Sequence, residues 1–243
     1  MPVTSDDATP EGVTRSPSRL RRLARAVAYG IVVALVVSAL AFLVRVRFGP
    51  IISADDSAIR SATAVTRDHD GLRRLLVAWQ WAFQPVRVYL VATVICLWVW
   101  FARHLRTRAW WAFLTMMVGW NLALDVKLLV ARARPLVAKP IEHAPGYSFP
   151  SGHVANIAIG SSAVVVLLWP LLGRGARWAA VVLGSALVIA TALDRVFLGV
   201  HFPSDCVGGI LLGCGLVLAS YAGYVGWNPA DPKASTDPPT EES

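Results

Sequence analysis

Ala26–Val44 is an unbroken run without Asp, Glu, Lys, Arg or His, and no other feature narrows the possible folds as much. Such a run is long enough to cross about 30 Å of hydrocarbon as a helix. Arg15, Arg19, Arg21, Arg22 and Arg25 stand immediately before it, the flank expected on the cytoplasmic side of a span. A cleaved signal peptide is the rival reading, and Ala39-Leu40-Ala41 fits its small-x-small cleavage pattern. The apolar run nevertheless continues through Phe42-Leu43-Val44, which favours an uncleaved span. Charged residues make up 16% of the chain and apolar ones 56%, whereas a soluble domain carries about 25% charged residues. Most soluble enzymes and mainly disordered chains are thereby excluded.

Comparable stretches recur at Val86–Ala102, Trp110–Val130, Val154–Gly173, Trp178–Leu193 and Cys206–Trp227. The fold expected is an all-α, polytopic membrane protein with six transmembrane helices in a bundle. Residues 50–85 mix Asp55, Asp56, Arg60, Arg67, Asp68, Asp70, Arg73 and Arg74 with Ile59, Val65, Leu72, Leu75, Leu76, Trp79 and Trp81. This composition is too polar to span and predicts amphipathic helices lying on the membrane surface between the first and second spans. The domain organisation expected is a disordered basic tail over 1–25, a six-helix membrane domain over 26–227 and a disordered tail over 228–243.

An even number of spans puts both termini on one side. The short loops 103–109 and 174–177 hold Arg103, Arg106, Arg108, Arg174 and Arg177 without any acid, which marks them as cytoplasmic. Trp98, Trp100, Trp110, Trp111, Trp169, Trp178 and Trp227 gather at the same side as an interfacial belt. The location expected is the cell membrane, with cytoplasmic termini and the loops 131–153 and 194–205 facing outward. Cys96, Cys206 and Cys214 lie in apolar stretches without zinc-ligand spacing and are read as small buried hydrophobes.

The formal net charge of +8 would point to nucleic acid in a soluble protein. In a hydrophobic chain it is divided between anchoring and chemistry, and the two outward loops hold the residues that anchoring does not explain. Lys127 and Arg134 are about two helical turns apart, so both would project from one face of a third span ended by Pro135. Lys127 has two readings, snorkelling to headgroups or binding an anion. Arg132, on the opposite face with Asn121 and Asp125, is read as snorkelling. Pro150-Ser151-Gly152-His153 opens the fourth span, where unpaired backbone N–H groups make an anion site; Ser151 is equally an ordinary N-cap. Asp194-Arg195, His201 and Asp205 follow around the fifth and sixth spans. A carboxylate that orients an imidazole frees its other nitrogen to attack, although Asp205 also suits a helix N-terminus.

Together, Lys127-x6-Arg134-Pro135, Pro150-Ser151-Gly152-His153 and Arg195-x5-His201-x3-Asp205 resemble the three-part signature of the type 2 phosphatidic acid phosphatase family. The resemblance covers roughly residues 80–227, with order and spacings intact. It departs at Asp194, where the family usually has Ser, and a carboxylate there could weaken the hold of Arg195 on phosphate. The resemblance implies hydrolysis of a lipid phosphate or diphosphate without metal or other cofactor. His201 would be the nucleophile, Asp205 its orienting carboxylate and His153 the acid and base. Lys127, Arg134, Ser151, Gly152 and Arg195 would bind phosphate. Polyprenyl diphosphate is the favoured substrate, with phosphatidylglycerol phosphate and phosphatidic acid as alternatives. The partners expected are this substrate and membrane lipids, with no nucleic acid. A non-enzymatic carrier of anionic lipids would use the same cations without needing the histidines. The vanadium haloperoxidases, whose active site resembles this one, are soluble proteins and fit the apolar chain less well.

Overall fold

The computed structural model describes residues 19–136, 141–142 and 144–225, and these residues form helices joined by short turns except for the longer connection between Val130 and Gly152. They are α1 (Arg19–Arg45), α2 (Gly49–Asp68), α3 (Asp70–Ala82), α4 (Pro85–Ala102), α5 (Arg106–Val130), α6 (Gly152–Leu168), α7 (Arg174–Phe197) and α8 (Pro203–Tyr224). A single 3-10 turn, Trp169–Leu171, follows α6. Six of the helices (α1, α4, α5, α6 with its 3-10 turn, α7 and α8) are long and apolar enough to cross a membrane, so the protein is a multi-pass membrane protein of the expected class.

The chain sets its helix starts with proline. Pro50, Pro85 and Pro203 each occupy one of the first two positions of a helix, where the missing N–H costs nothing and φ is already helical. α1 begins at Arg19, inside the segment expected to be tail. Arginine is a good helix former and its long stem can carry the charge out of an apolar layer. The expectations for residues 1–18 and 226–243, Trp227 included, lie outside the described residues.

The central element is α6, which packs against α4, α5, α7 and α8. Its crossing with α8 depends on two glycines. A Cβ added at Gly209 would stand 2.9 Å from the Ser151 carbonyl oxygen, and one at Gly213 would stand 2.7 Å from that of Ala155. Small residues are what let two membrane helices approach at backbone distance. α1 lies antiparallel along the outside of α8. Arg25 at its start donates to the Val225 carbonyl at 3.3 Å, and Arg45 at its end donates to the Val130 carbonyl at 2.7 Å.

Trp98, Trp100, Trp110, Trp111, Trp169 and Trp178 lie toward one end of the bundle, at the end of α4, the starts of α5 and α7 and the turn after α6. The opposite end carries the starts of α6 and α8 and the ends of α5 and α7. The polar segment between α1 and α4 is helical, as expected, but α2 is more than a surface helix. It buries Asp55, Ile59, Ala62, Thr63 and Thr66 against α7 and α8, and Thr66 Oγ1 donates to the Phe197 carbonyl at 2.9 Å. α3 has no buried residue and is tied to α7 by Trp79 Nε1, which donates to Thr191 Oγ1 at 3.2 Å.

The α6–α8 crossing makes a stability prediction. Gly213→Val should destabilise the detergent-solubilised protein by more than the usual overpacking cost of about 1–3 kcal/mol, because the obstructing atom is backbone. Gly30→Ala, with nothing within 4 Å of the new Cβ, serves as control. Equal thermal midpoints for the two variants would contradict the packing described.

Candidate active site

The three sequence motifs meet at the end of the bundle where α6 and α8 begin. α5 stops at Val130, and Ala131 takes a left-handed conformation with φ 49° while its N–H donates to the Lys127 carbonyl at 3.1 Å. This αL cap ends the helix earlier than the periodicity had implied. Arg132 and Arg134 therefore sit on irregular backbone, and Lys127 and Arg134 approach each other through a turn. Ser148 holds the returning loop: its N–H donates to the Arg132 carbonyl at 2.8 Å and its Oγ to the Ala133 carbonyl at 3.2 Å. The Ser151 N–H then donates to the Asp205 carbonyl at 3.0 Å, joining the second motif to the third.

His201 is buried in the turn between α7 and α8. Its Nε2 lies 3.2 Å from Arg134 Nη1. A guanidinium only donates, so Nε2 accepts and the proton of the neutral ring is on Nδ1. Nδ1 lies 3.5 Å from Asp205 Oδ2, a charge contact longer than a good hydrogen bond. Burial pushes the His201 ring down to about 4 against the raising effect of Asp205, and the nearby Arg134 and Lys127 cations push the same way as burial. Burial likewise lowers Arg134 from its usual value.

Asp205 is fully enclosed, and both of its oxygens are used. Oδ2 accepts from the Phe202 N–H at 2.9 Å, the first-turn carboxylate role foreseen for it. Oδ1 accepts from Arg132 Nη1 at 2.6 Å. Arg132 does not snorkel to headgroups. Its side chain is 10% exposed, its Cζ lies 4.1 Å from the Phe202 ring centroid, and Nη2 donates to Asp55 Oδ2 at 2.7 Å. Helix continuation would have pointed Arg132 away from the site; the early stop at Val130 turns it inward instead.

Lys127 Nζ donates to the Tyr147 carbonyl at 3.0 Å. Arg134 donates through Nε to the Gly146 carbonyl at 3.1 Å, through Nη2 to that of Pro145 at 3.0 Å and through Nη1 to that of Val200 at 2.8 Å. Arg195 is buried and pairs with its neighbour Asp194: Nε donates to Asp194 Oδ2 at 2.8 Å, and Nη2 donates to the same oxygen. Ser151 takes the N-cap position of α6 but makes no side-chain cap hydrogen bond. Ser151 Oγ and His153 Nε2 are buried without a hydrogen-bond partner among the described residues, whereas His201 Nδ1, also without a close one, is turned to Asp205. Buried polar atoms are nearly always paired, so the two orphans Ser151 Oγ and His153 Nε2, close to Lys127, Arg134 and Arg195, mark a place that accepts a polar group. Of the cysteines, Cys96 and Cys206 are buried and Cys214 is exposed, and among the described residues no cluster of three or more His, Cys, Asp or Glu is placed to hold a metal ion.

Fold and site define a multi-pass helical membrane protein that gathers two imidazoles, a carboxylate and several cations at one end of its bundle. Residues 108–228 match the family model of the PAP2 superfamily. The chain belongs to this superfamily. It is 32% identical over 112 residues to phosphatidylglycerophosphatase B of Bacillus subtilis, a match covering 44% of this chain and 54% of that protein. It is 30% identical over 113 residues to an undecaprenyl-diphosphatase of Sulfolobus acidocaldarius, covering 41% of this chain and 49% of the relative. The chain thus spans about half the length of these curated relatives. The crystal structure of a transmembrane PAP2 type phosphatidylglycerolphosphate phosphatase from Bacillus subtilis superposes with a TM-score of 0.68 at 21% identity, over 81% of this chain and 94% of that one, and has the same fold.

Sequence reasoning missed Asp55 and Ser204 and misread Arg132. A signal for Asp55 was present: it shares helical spacing with Ile59, Ala62, Thr63 and Thr66, the face that α2 buries. Because the ring of His201 is lowered from 6.5 to about 4, it is neutral throughout the neutral range and gains its proton only as pH falls through that value. In histidine-labelled protein in micelles, nitrogen NMR should place the His201 midpoint near 4. A midpoint at or above the ordinary value of about 6.5 would refute the description of its surroundings.

Proposed function

We propose that the protein hydrolyses a lipid phosphate or diphosphate, with polyprenyl diphosphate the favoured substrate, through a phosphohistidine intermediate. The observation that carries this reading is the setting of His201. Its Nε2 bears the lone pair and faces the cation Arg134 at 3.2 Å, while Nδ1 faces the Asp205 carboxylate at 3.5 Å. A nucleophilic nitrogen, a cation beside it and a carboxylate behind it are what attack on a phosphorus centre requires.

In the proposed reaction, His201 Nε2 attacks phosphorus as the bond to the leaving oxygen breaks, and protonated His153 gives its proton to that oxygen. The ring of His201 is then phosphorylated on Nε2, still protonated on Nδ1, and its positive charge is balanced by Asp205. Water next attacks phosphorus, His153 takes the proton, the P–N bond breaks and inorganic phosphate leaves. Lys127, Arg134 and Arg195 neutralise the phosphoryl oxygens, with Ser151 Oγ and the Gly152 N–H as further donors. Phosphoryl transfer is chiefly a matter of positioning and charge stabilisation, which fixed cations and helix-end amides can provide.

The site lies at the end of the bundle, where a lipid can bring its headgroup by lateral diffusion while its chain stays in the apolar layer. The name of the Sulfolobus relative supports a polyprenyl diphosphate, and that of the Bacillus relative keeps phosphatidylglycerol phosphate as an alternative. Arg103 in the turn before α5, Arg106 and Arg108 at the start of α5, and Arg174 and Arg177 at the start of α7, with the tryptophans near them, support cytoplasmic termini and a site that faces outward.

Purified protein in mixed micelles should release phosphate from polyprenyl diphosphate in excess EDTA, and vanadate should inhibit the release. His201→Ala should abolish turnover, and His153→Ala should slow it about 10²–10⁴-fold, the usual range for a general acid–base. A strict requirement for a divalent metal would refute the mechanism. Unimpaired biological activity in His201→Ala would favour a lipid carrier instead.

A further inference from the structure

The geometry points to Asp55 on α2 as a positioning residue for His201, acting through Arg132 and Asp205. This inference rests on the phosphatase reading above and extends its machinery to a helix outside the matched segment 108–228.

Asp55 is 2% exposed, and its carboxylate receives donors only. Oδ1 accepts from the Ser204 N–H at 3.0 Å. Oδ2 accepts from Arg132 Nη2 at 2.7 Å and from Ser204 Oγ. Ser204 Oγ in turn accepts from Arg132 Nη1 at 2.7 Å, and the same Nη1 donates to Asp205 Oδ1 at 2.6 Å. The other oxygen of Asp205 faces His201 Nδ1 at 3.5 Å. A continuous line of contacts therefore runs from α2 to the nucleophilic ring, closing on the longer 3.5 Å charge contact between Asp205 and His201, and Asp55, Ser204, Asp205 and His201 along it are buried.

The arrangement fixes geometry and charge together. Arg132 is a planar fork, and each of its terminal nitrogens meets a carboxylate, one on α2 and one on α8, so its plane fixes their separation. The position of Asp205 decides how closely His201 Nδ1 is held and where Nε2 points. Asp55 also offsets the charge of Arg132. Without that negative charge, the guanidinium would draw more strongly on Asp205 and leave less of its field for the charge that develops on His201. Asp55 touches neither substrate nor the reacting atoms, so its effect belongs in turnover and not in binding.

Asp55→Asn is the decisive substitution, because an amide puts an N–H₂ where Arg132 and Ser204 also present donors. We expect kcat to fall tenfold to a hundredfold, the scale on which small displacements of reacting groups act, with KM within about twofold of the parent. Asp56→Asn on the same helix should leave both constants unchanged. The Asp55→Asn/Asp205→Asn double variant should be no slower than Asp205→Asn alone, since both act on one ring. Ser204→Ala, a milder change at the same junction, should lower kcat severalfold without moving KM and serves if Asp55→Asn does not fold. An unchanged kcat in a folded variant, or additive losses in the double variant, would overturn the inference while leaving the phosphatase reading intact. If the parent releases phosphate from none of the three lipid classes, the phosphatase reading fails by itself. The inference is then decided by the imidazole nitrogen signals of His201, which Asp55→Asn should shift and Asp56→Asn should not.

Discussion

The carboxylate of Asp205 is the point on which this architecture turns. A charge removed from water is tolerated only when partners replace its hydration. Asp205, with no exposed surface, draws those partners from separate parts of the chain. The Phe202 N–H comes from the start of its own helix, and Arg132 comes from the segment after α5. His201 comes from the turn that precedes α8. Because Arg132 is itself removed from water, it needs a second acceptor, and Asp55 on α2 is that acceptor. Deleting one member of such a buried set typically costs about 3–5 kcal/mol, most of it the penalty for the charge left behind. The set therefore dictates where α5 must stop and how α2 must lie against α7 and α8.

The cations on the other side of His201 follow a different rule. Lys127 and Arg134 donate to the neutral carbonyls of Pro145, Gly146, Tyr147 and Val200, so their hydrogen bonds are satisfied but their charge is not. In the proposed reaction an arriving phosphoryl group would exchange carbonyl acceptors for anionic ones, and charge-assisted hydrogen bonds are about twice as strong as neutral ones. The same carbonyls hold the loop between α5 and α6 in place until then. The Arg134 contact to His201 Nε2 has a related consequence: in the proposed reaction the cation that would bind phosphate already lies beside the nitrogen that would attack it.

The spans and the surface segment were legible because hydropathy acts over whole helices and tolerates errors of a few residues at each end. Lys127, Arg134, His153, Arg195, His201 and Asp205 were legible through motif spacing, and the structure brings them to one end of the bundle. Asp55 and Arg132 were not, for a common reason. Each is a charged residue in a stretch where charges usually face water or headgroups, and only its partner's position makes burial tolerable. For Arg132 the projected helix was also wrong, since periodicity cannot foresee a left-handed residue at Ala131. Ser151 was ambiguous in sequence between N-cap and ligand, and the missing cap hydrogen bond favours the second use.

Charge bookkeeping within the site gives Asp194 its meaning. Arg132 is neutralised by Asp55 and Asp205, and Arg195 by Asp194, which leaves Lys127 and Arg134 as the cations whose partners are uncharged. The positive field is therefore concentrated on the side of His201 where Arg134 stands. With serine at position 194, as the resemblance would have it, Arg195 would add an equal charge from the other side. On the proposed function an incoming anion would be drawn first to Lys127 and Arg134, and Arg195 would have to give up part of its grip on Asp194 to share in binding. On the proposed function Asp194 would compete with the phosphate for Arg195, with which it is paired here.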